Sequence, residues 1–141
     1  MPQTQLLRSA LKIIPLLFVS LLITACAGQI DDSDRSQITP CPSFPPCDTA
    51  SWSPSGSQAD AWDAILSFVK AEPNMSIIKQ TPDYLHIEAT TPTVGFVDDV
   101  EIYRGGDGTI EARSASRIGL LDVGTNRSRL DRIEQAMGQS N

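Results

Sequence analysis

Residues that bind metals or carry out nucleophilic catalysis are scarce in this sequence. The chain of 141 residues has one histidine, His86, and three cysteines, Cys26, Cys41 and Cys47. A structural zinc site takes about four ligands, and these residues show none of the usual ligand spacings. The sequence also has no Ser-His-Asp constellation and no glycine-rich loop before a helix that would bind phosphate. We therefore predict neither a metal nor a cofactor.

The sequence also has no apolar run long enough to cross a bilayer. Its N-terminal apolar stretch, residues 13–25, has thirteen residues, whereas a spanning helix needs about 20. This stretch follows the basic residues Arg8 and Lys12 and ends in the tetrapeptide Ile-Thr-Ala-Cys, which resembles a lipobox. We predict that residues 1–25 are a lipoprotein signal peptide and that Cys26 becomes the acylated N-terminus. An uncleaved anchor and an ordinary signal peptide are the alternatives.

Basic residues are few compared with acidic ones. Removal of residues 1–25 discards Arg8 and Lys12, so the formal net charge of −6 becomes −8. An acidic chain is a poor partner for nucleic acid, whose phosphates require clustered Lys and Arg. We therefore expect attachment to the membrane through the acyl chains, with an envelope protein or a small anionic ligand as partner. Ala27 after the cysteine favours the periplasmic side of the outer membrane if the cell has two membranes.

The segment after the lipidation site is rich in Ser, Pro, Asp and Thr and shows no apolar periodicity. We interpret residues 26–56 as a flexible tether that holds one α+β domain, residues 57–139, away from the bilayer. In an oxidising compartment we expect Cys41 and Cys47 to form a disulfide that closes a short, proline-rich loop. A redox-active pair is the alternative, although its usual two-residue spacing is absent.

Periodic apolar residues predict two helices and four strands in the rest of the chain. The N-cap Ser57 and the breaker Pro73 predict a helix over residues 58–71, and an amphipathic stripe predicts another over 126–137. Alternation and turn residues predict strands over residues 76–80, 84–91, 95–103 and 109–118. This order predicts a two-layer α+β fold, in which the N-terminal and C-terminal helices cover one face of a four-stranded antiparallel sheet.

Strand alternation divides the sheet into a core face and a free face. On the second hairpin Phe96 and Ile102 belong to the core face. Pairing Ile102 with Ile110 brings Asp99 opposite Arg113 on the free face. On the first hairpin the same rule buries the aliphatic residues and exposes the polar ones.

The polar residues of the free face form the first group of candidate binding residues. They are Tyr84, His86, Glu88, Asp99, Glu101, Arg113 and Arg117. This face is either a polar groove or a solvated surface with cross-strand ion pairs. Asp98 falls on the core face, where a carboxylate needs donors from Ser114 or from an arginine of the last helix. We predict that Asp98, Arg113 and Arg117 form one electrostatic unit with the loop before that helix.

The loop before the last helix supplies the second group of candidates. They are Asp122, Asn126, Arg127 and Arg129. Arg127 and Arg129 fall in the first helical turn, where cations oppose the helix dipole. We therefore expect Asp98, Asp99, Asp122 or an anionic ligand to offset them.

Three blocks of this sequence together resemble a known family. They are Cys41-Pro42 to Cys47, then Asp83 to Glu88 with Gly95 to Glu101, and finally Arg113 to Gly119 with Asp122, Gly124, Asn126, Arg127 and Arg129. The chain resembles, over about residues 41–137, the domain of unknown function 1499 family of bacteria and plastids. That family has no established activity, so the resemblance implies domain limits without naming a reaction. The chain departs from the family's pattern at Pro46, where Asn is expected, and at residues 90–94, where a basic or aromatic segment is expected.

These features favour a lipid-anchored domain of the cell envelope that binds a ligand or another protein. The alternative is a small periplasmic hydrolase or isomerase in which His86 or Asp98 acts as the base and Arg113 or Arg117 stabilises an oxyanion. A purely structural role in the envelope is a third hypothesis. One concave pocket holding these residues would favour the enzyme, and a flat exposed face would favour interaction.

Overall fold

The computed structural model of the protein describes residues 36–119 and 123–138. The predicted signal peptide, Cys26 and Asp122 lie outside these ranges. The elements in chain order are β1 (Cys47–Trp52), α1 (Gln58–Ala71), β2 (Met75–Gln80), β3 (Tyr84–Thr90), β4 (Val97–Arg104), β5 (Ile110–Ser116) and α2 (Thr125–Gly138). Neither α1 nor α2 is long and apolar enough to cross a membrane, and this holds for every helix within the described ranges.

Local sequence signals determine where α1 begins and ends. The Ser57 hydroxyl accepts a hydrogen bond of 3.0 Å from the backbone N–H of Asp60, so Ser57 is the N-cap that the sequence predicted. The helix ends at Ala71, before Pro73, which lacks the N–H that a helix needs. Trp62 and Ile65 lie on its buried stripe. The predicted bounds of this helix are confirmed.

The sheet has five antiparallel strands in the order β1-β5-β4-β3-β2, so the prediction of four strands is wrong. The additional strand, β1, pairs with β5 from Cys47 opposite Ala115 to Trp52 opposite Ile110. It lies in the segment that was predicted to be a flexible tether. Its mostly polar residues show only a weak alternation and therefore did not indicate a strand. The prediction of an α+β fold with one antiparallel sheet and two helices is confirmed.

The two central strands pair two residues away from the predicted register. Ile102 lies opposite Ala112 instead of Ile110, and Glu101 instead of Asp99 lies opposite Arg113. The reason is a tighter turn: the Gly105 N–H donates to the Thr109 carbonyl, which leaves only residues 106–108 in the loop. Gly108 has φ of +89°, the left-handed conformation that such three-residue loops require. A shift of two residues preserves alternation, so the two faces keep the composition that the sequence predicted.

Both helices pack on one face of the sheet, which we call the helix face. The core there consists of Trp62, Ile65 and Val69 from α1, Leu130 and Ile133 from α2, and the aliphatic residues of the strands, with Trp52 of β1 at its edge. Phe96 was predicted to belong to this core but is 50 % exposed. It precedes the first residue of β4 and therefore lies beyond the helices.

The opposite face of the sheet, which we call the second face, is not the exposed surface that alternation suggested. Tyr84 and His86 are buried, and so are Glu101 and Arg113. Thr39, which precedes β1, lies over this face and donates hydrogen bonds to the carboxylate of Glu101. The predicted disulfide between Cys41 and Cys47 is present and ties the segment that contains Thr39 to the start of β1.

Candidate functional site

The candidate residues separate into two polar clusters because successive residues of a strand point to opposite faces of the sheet. Asp98 lies on the helix face beside α2, whereas Asp99 lies on the second face with Glu101, Arg113 and Arg117. The prediction of one electrostatic unit containing Asp98, Arg113 and Arg117 is therefore wrong. The expectation that an arginine of the last helix neutralises Asp98 agrees with the structure.

The first of these clusters, the inner cluster, joins α2 to the sheet and consists of Asp98, Ser114, Asn126 and Arg129. Arg129 donates from Nη2 to Asp98 at 2.6 Å and from Nη1 to Ser114 Oγ at 2.6 Å. Ser114 in turn donates to Asn126 Oδ1 at 2.7 Å. All four side chains are buried. These contacts neutralise the cation of Arg129, the fifth residue of α2, and hold that helix on the sheet.

The second face carries a buried pair between Glu101 and Arg113. Glu101 is fully buried, and its carboxylate accepts from Arg113 Nη1 at 3.0 Å and from the Tyr84 hydroxyl at 2.9 Å. Thr39 donates to the same carboxylate from its backbone N–H at 3.2 Å and from its hydroxyl at 2.9 Å. The buried Arg113 Nε has no hydrogen-bond partner among the described residues. Glu101 is therefore the principal compensation for this buried cation.

At the end of the second face where β4 begins, Arg117 binds two acids. Arg117 donates from Nε and Nη2 to both oxygens of Asp99, at 2.9 and 2.7 Å, and also reaches Glu88 at 2.6 Å. His86 Nε2 lies 2.8 Å from Asp99 Oδ1 and donates to it, since an ionised carboxylate only accepts. The Asp99 and Glu88 hydrogen bonds raise the pKa of Arg117 against the opposing effect of burial.

These contacts shift the pKa of Asp99. Burial raises it, but the hydrogen bonds from His86 and Arg117 outweigh burial and lower it from 3.8 to about 2. An acid whose pKa is lower in the folded state than in the unfolded state stabilises the fold. This contribution is fully present above the unfolded-state pKa and is lost as the pH falls through the folded-state pKa. Asp99 therefore stabilises the fold above about pH 4, and this contribution disappears towards pH 2.

We expect acidification from about pH 4 to about pH 2 to remove roughly 1–2 kcal/mol of stability through Asp99, after allowance for solvent screening. Urea unfolding at several pH values measures this slope. In the Asp99→Asn variant the amide does not titrate, so its stability should depend less steeply on pH across the same interval. Equal slopes in the wild type and the variant would contradict the assignment.

The two clusters do not converge on a common point where a reaction would take place. Asp98 lies across the sheet from Arg113 and Arg117, so neither arginine can stabilise an oxyanion formed by an Asp98 base. The His86 ring is bonded to Asp99, and the carboxylates of Asp99 and Glu101 are already bonded to arginines. This arrangement can hold strands together and fix the segment that contains Thr39. It gives the enzyme hypothesis no support.

Two further candidates from the loop before α2 also make structural contacts. Asn126 is fully buried and donates from Nδ2 to Ser116 Oγ and to the carbonyl of Pro46. Arg127 pairs with Asp48 at 3.0 Å at the partly exposed edge of β1, a partner that the sequence did not indicate. Within the described ranges, no group of three or more His, Cys, Asp or Glu residues could hold a metal ion.

A set of exposed apolar residues, which we call the apolar tip, was not predicted from the sequence. The set consists of Phe44, Val94, Phe96, Ile118 and Val123, each at least half exposed. Among the described residues, one other large apolar side chain is exposed, Ile78 of the edge strand β2. Phe96 and Ile118 were predicted to belong to strands. For this reason they were not recognised as apolar residues of uncharged loops, which is the pattern that could have indicated this surface.

Backbone contacts show that the apolar tip lies at one end of the sheet. The Thr91 N–H donates to the Phe96 carbonyl, and the Arg117 N–H donates to the Val97 carbonyl. The Ser116 N–H donates to the Pro46 carbonyl and so brings the disulfide loop to the same end. A cavity of about 360 Å³ lies behind these loops, between Val123, Thr90, Thr91 and the facing ends of the two helices.

Comparison with known proteins places the chain in a family. Residues 37–137 match the family described as "Protein of unknown function (DUF1499)". This match confirms the resemblance seen in the sequence, and its N-terminal limit brings the disulfide loop and β1 into the family domain. No curated protein matches the chain.

Proposed function

The chain belongs to the DUF1499 family, whose function is unknown, and from its own structure we propose that it is a lipid-anchored binding module of the cell envelope. In this proposal residues 1–25 are removed on export and Cys26 carries the acyl chains. If the cell has two membranes, the protein faces the periplasm from the outer membrane. The sequence motif that ends at Cys26 supports this address.

The length of the connecting segment limits where the module can act. Residues 27–35, nine in all, separate the proposed acylated cysteine from the first described residue, Ser36, which is ten residues further along the chain. A fully extended chain of that length spans at most about 35 Å. The domain therefore stays close to the bilayer and meets partners that are in the membrane or next to it.

The apolar tip is the observation that supports a binding role. The described part of a small acidic domain exposes five large apolar side chains on three loops that meet at one end. Exposed apolar patches are usually limited in monomeric proteins, and larger ones mark surfaces that contact another molecule. The polar face that carries the first group of candidate residues is instead largely buried, and its charged side chains pair with one another.

Photo-crosslinking in cells that export the full chain tests the proposal. A photoreactive phenylalanine analogue replaces Phe96 at the tip or, as the control, Ile78, which has the same exposure of 50 %. We expect an adduct at position 96 and none at position 78, together with an acylated Cys26 in the mass spectrum of the mature N-terminus. An unmodified Cys26, or equal adducts at both positions, would contradict the proposal.

A further inference from the structure

The domain is polarised along the strand direction. In the described residues of the three tip loops, 41–46, 91–96 and 117–124, Arg117 is the only charged residue. At the opposite end of the domain, where α1 begins, α2 ends and two hairpins turn, exposed acids outnumber the partly exposed bases Lys79 and Arg104. The exposed acids are Asp60, Asp83, Asp107 and Glu134. The described tip loops are thus apolar and nearly uncharged, with the ion pair of Arg127 and Asp48 close to them, whereas the other end carries more exposed acids than bases.

From this polarity we propose that the apolar tip inserts into the lipid interface of the bilayer that carries the Cys26 anchor. The proposal rests on the proposed function, because the acyl chains hold the domain at the bilayer. Phe44 and Phe96 supply aromatic side chains, while Val94, Ile118 and Val123 supply aliphatic ones. Side chains of this kind enter the boundary between headgroups and acyl chains and gain by leaving water.

Charge favours a lipid surface over a protein surface at the tip. A protein partner for such an acidic chain would be expected to offer basic groups, which need acidic groups to pair with. Apart from Asp122, which lies outside the described residues, the tip loops contain no acidic residue to meet them. An apolar contact with a bilayer does not require acidic side chains at the tip. In a membrane with anionic lipids, repulsion would in addition turn the acidic end towards the solvent.

The segment that connects Cys26 to the described domain is long enough for this orientation. Thr39 donates a hydrogen bond to Glu101 of β4. Val97, which begins β4 at the tip, lies about 14 Å from Glu101 along the strand. The chain from Cys26 to Ser36 can span about 35 Å. Cys26 can therefore be anchored in the same leaflet that the tip enters, without any change in the contacts of Thr39.

An environment-sensitive fluorophore tests the insertion directly. The mature acylated protein is reconstituted into phosphatidylcholine vesicles with the fluorophore attached at Phe96→Cys or, as the control, at Ile78→Cys. We expect a blue shift and quenching by brominated acyl chains at position 96 and neither change at position 78. A fluorophore at position 96 that reports water would overturn the proposal.

A second measurement removes the anchor. In the mature chain with Cys26→Ser, the further change Phe96→Ser/Ile118→Ser should weaken co-sedimentation with the same vesicles about tenfold, whereas Ile78→Ser should leave it unchanged. High salt should not weaken the contact, because it is apolar. Equal sedimentation of the tip variant and its parent would overturn the inference.

If the in-cell crosslinks at position 96 go to a protein while the fluorophore reports water, lipid insertion fails and the binding module stands. If crosslinking and fluorophore both fail, both proposals fail.

Discussion

Replacing Glu101 with glutamine is expected to lower the free energy of unfolding by about 3–5 kcal/mol. Glu101 is fully buried, and Arg113 beside it is only 3 % exposed. Glutamine keeps the size of the side chain but removes the negative charge, so the guanidinium stays buried without a counter-charge. The Arg113 Nε already lacks a partner among the described residues, so little would remain to offset the charge of Arg113. The hydrogen bonds from Tyr84 and Thr39 lose their charged acceptor as well.

Urea unfolding of the domain with its disulfide intact measures this loss. Glu88→Gln is the matched control, because Glu88 also pairs with an arginine, Arg117. In this pair, however, both side chains are about one-third exposed. The control should cost under about 1 kcal/mol. The double variant Glu101→Gln/Arg113→Met should recover much of the loss, since it removes the buried charge as well. A Glu101→Gln variant as stable as the control would show that the pair is not essential to the fold.

Asp98→Asn should have an effect of similar size, about 3–5 kcal/mol, on the other face of the sheet. Asp98 and Arg129 are both buried, and their closest atoms lie 2.6 Å apart. The asparagine amide cannot neutralise Arg129, so the guanidinium then stays buried near the start of α2 without a counter-charge. Because Arg129 also holds Ser114 and Asn126, the whole inner cluster should loosen.

Asp48→Asn is the matched control for this variant. Asp48 also pairs with an arginine of the first turn of α2, Arg127, but this pair is partly exposed. Its loss should cost under about 1 kcal/mol. Hydrogen exchange adds a readout of position: the backbone amides of α2 should exchange faster in Asp98→Asn than in Asp48→Asn. Equal exchange in the two variants would show that the inner cluster does not hold α2 on the sheet.

Signals that act over a few residues were sufficient to predict several elements of this protein. The Ser57 cap and Pro73 determined the limits of α1. Period-two alternation determined which residues of the central strands share a face, and it placed Asp98 inside, where an arginine of the last helix meets it. The spacing of Cys41 and Cys47 and the predicted oxidising compartment led to the disulfide. Each of these features depends on backbone geometry within one element or one short loop.

Only the tertiary structure decided the features that depend on neighbours distant in the chain. The strand β1 is mostly polar and is stabilised by its pairing with β5, so its own residues could not predict it. The central register followed the tight turn at Gly108, and alternation is insensitive to a shift of two residues. Alternation also states which face a side chain takes but not what covers that face. The burial of Tyr84 and His86 and the meeting of three loops in one apolar tip therefore became visible only in the folded chain.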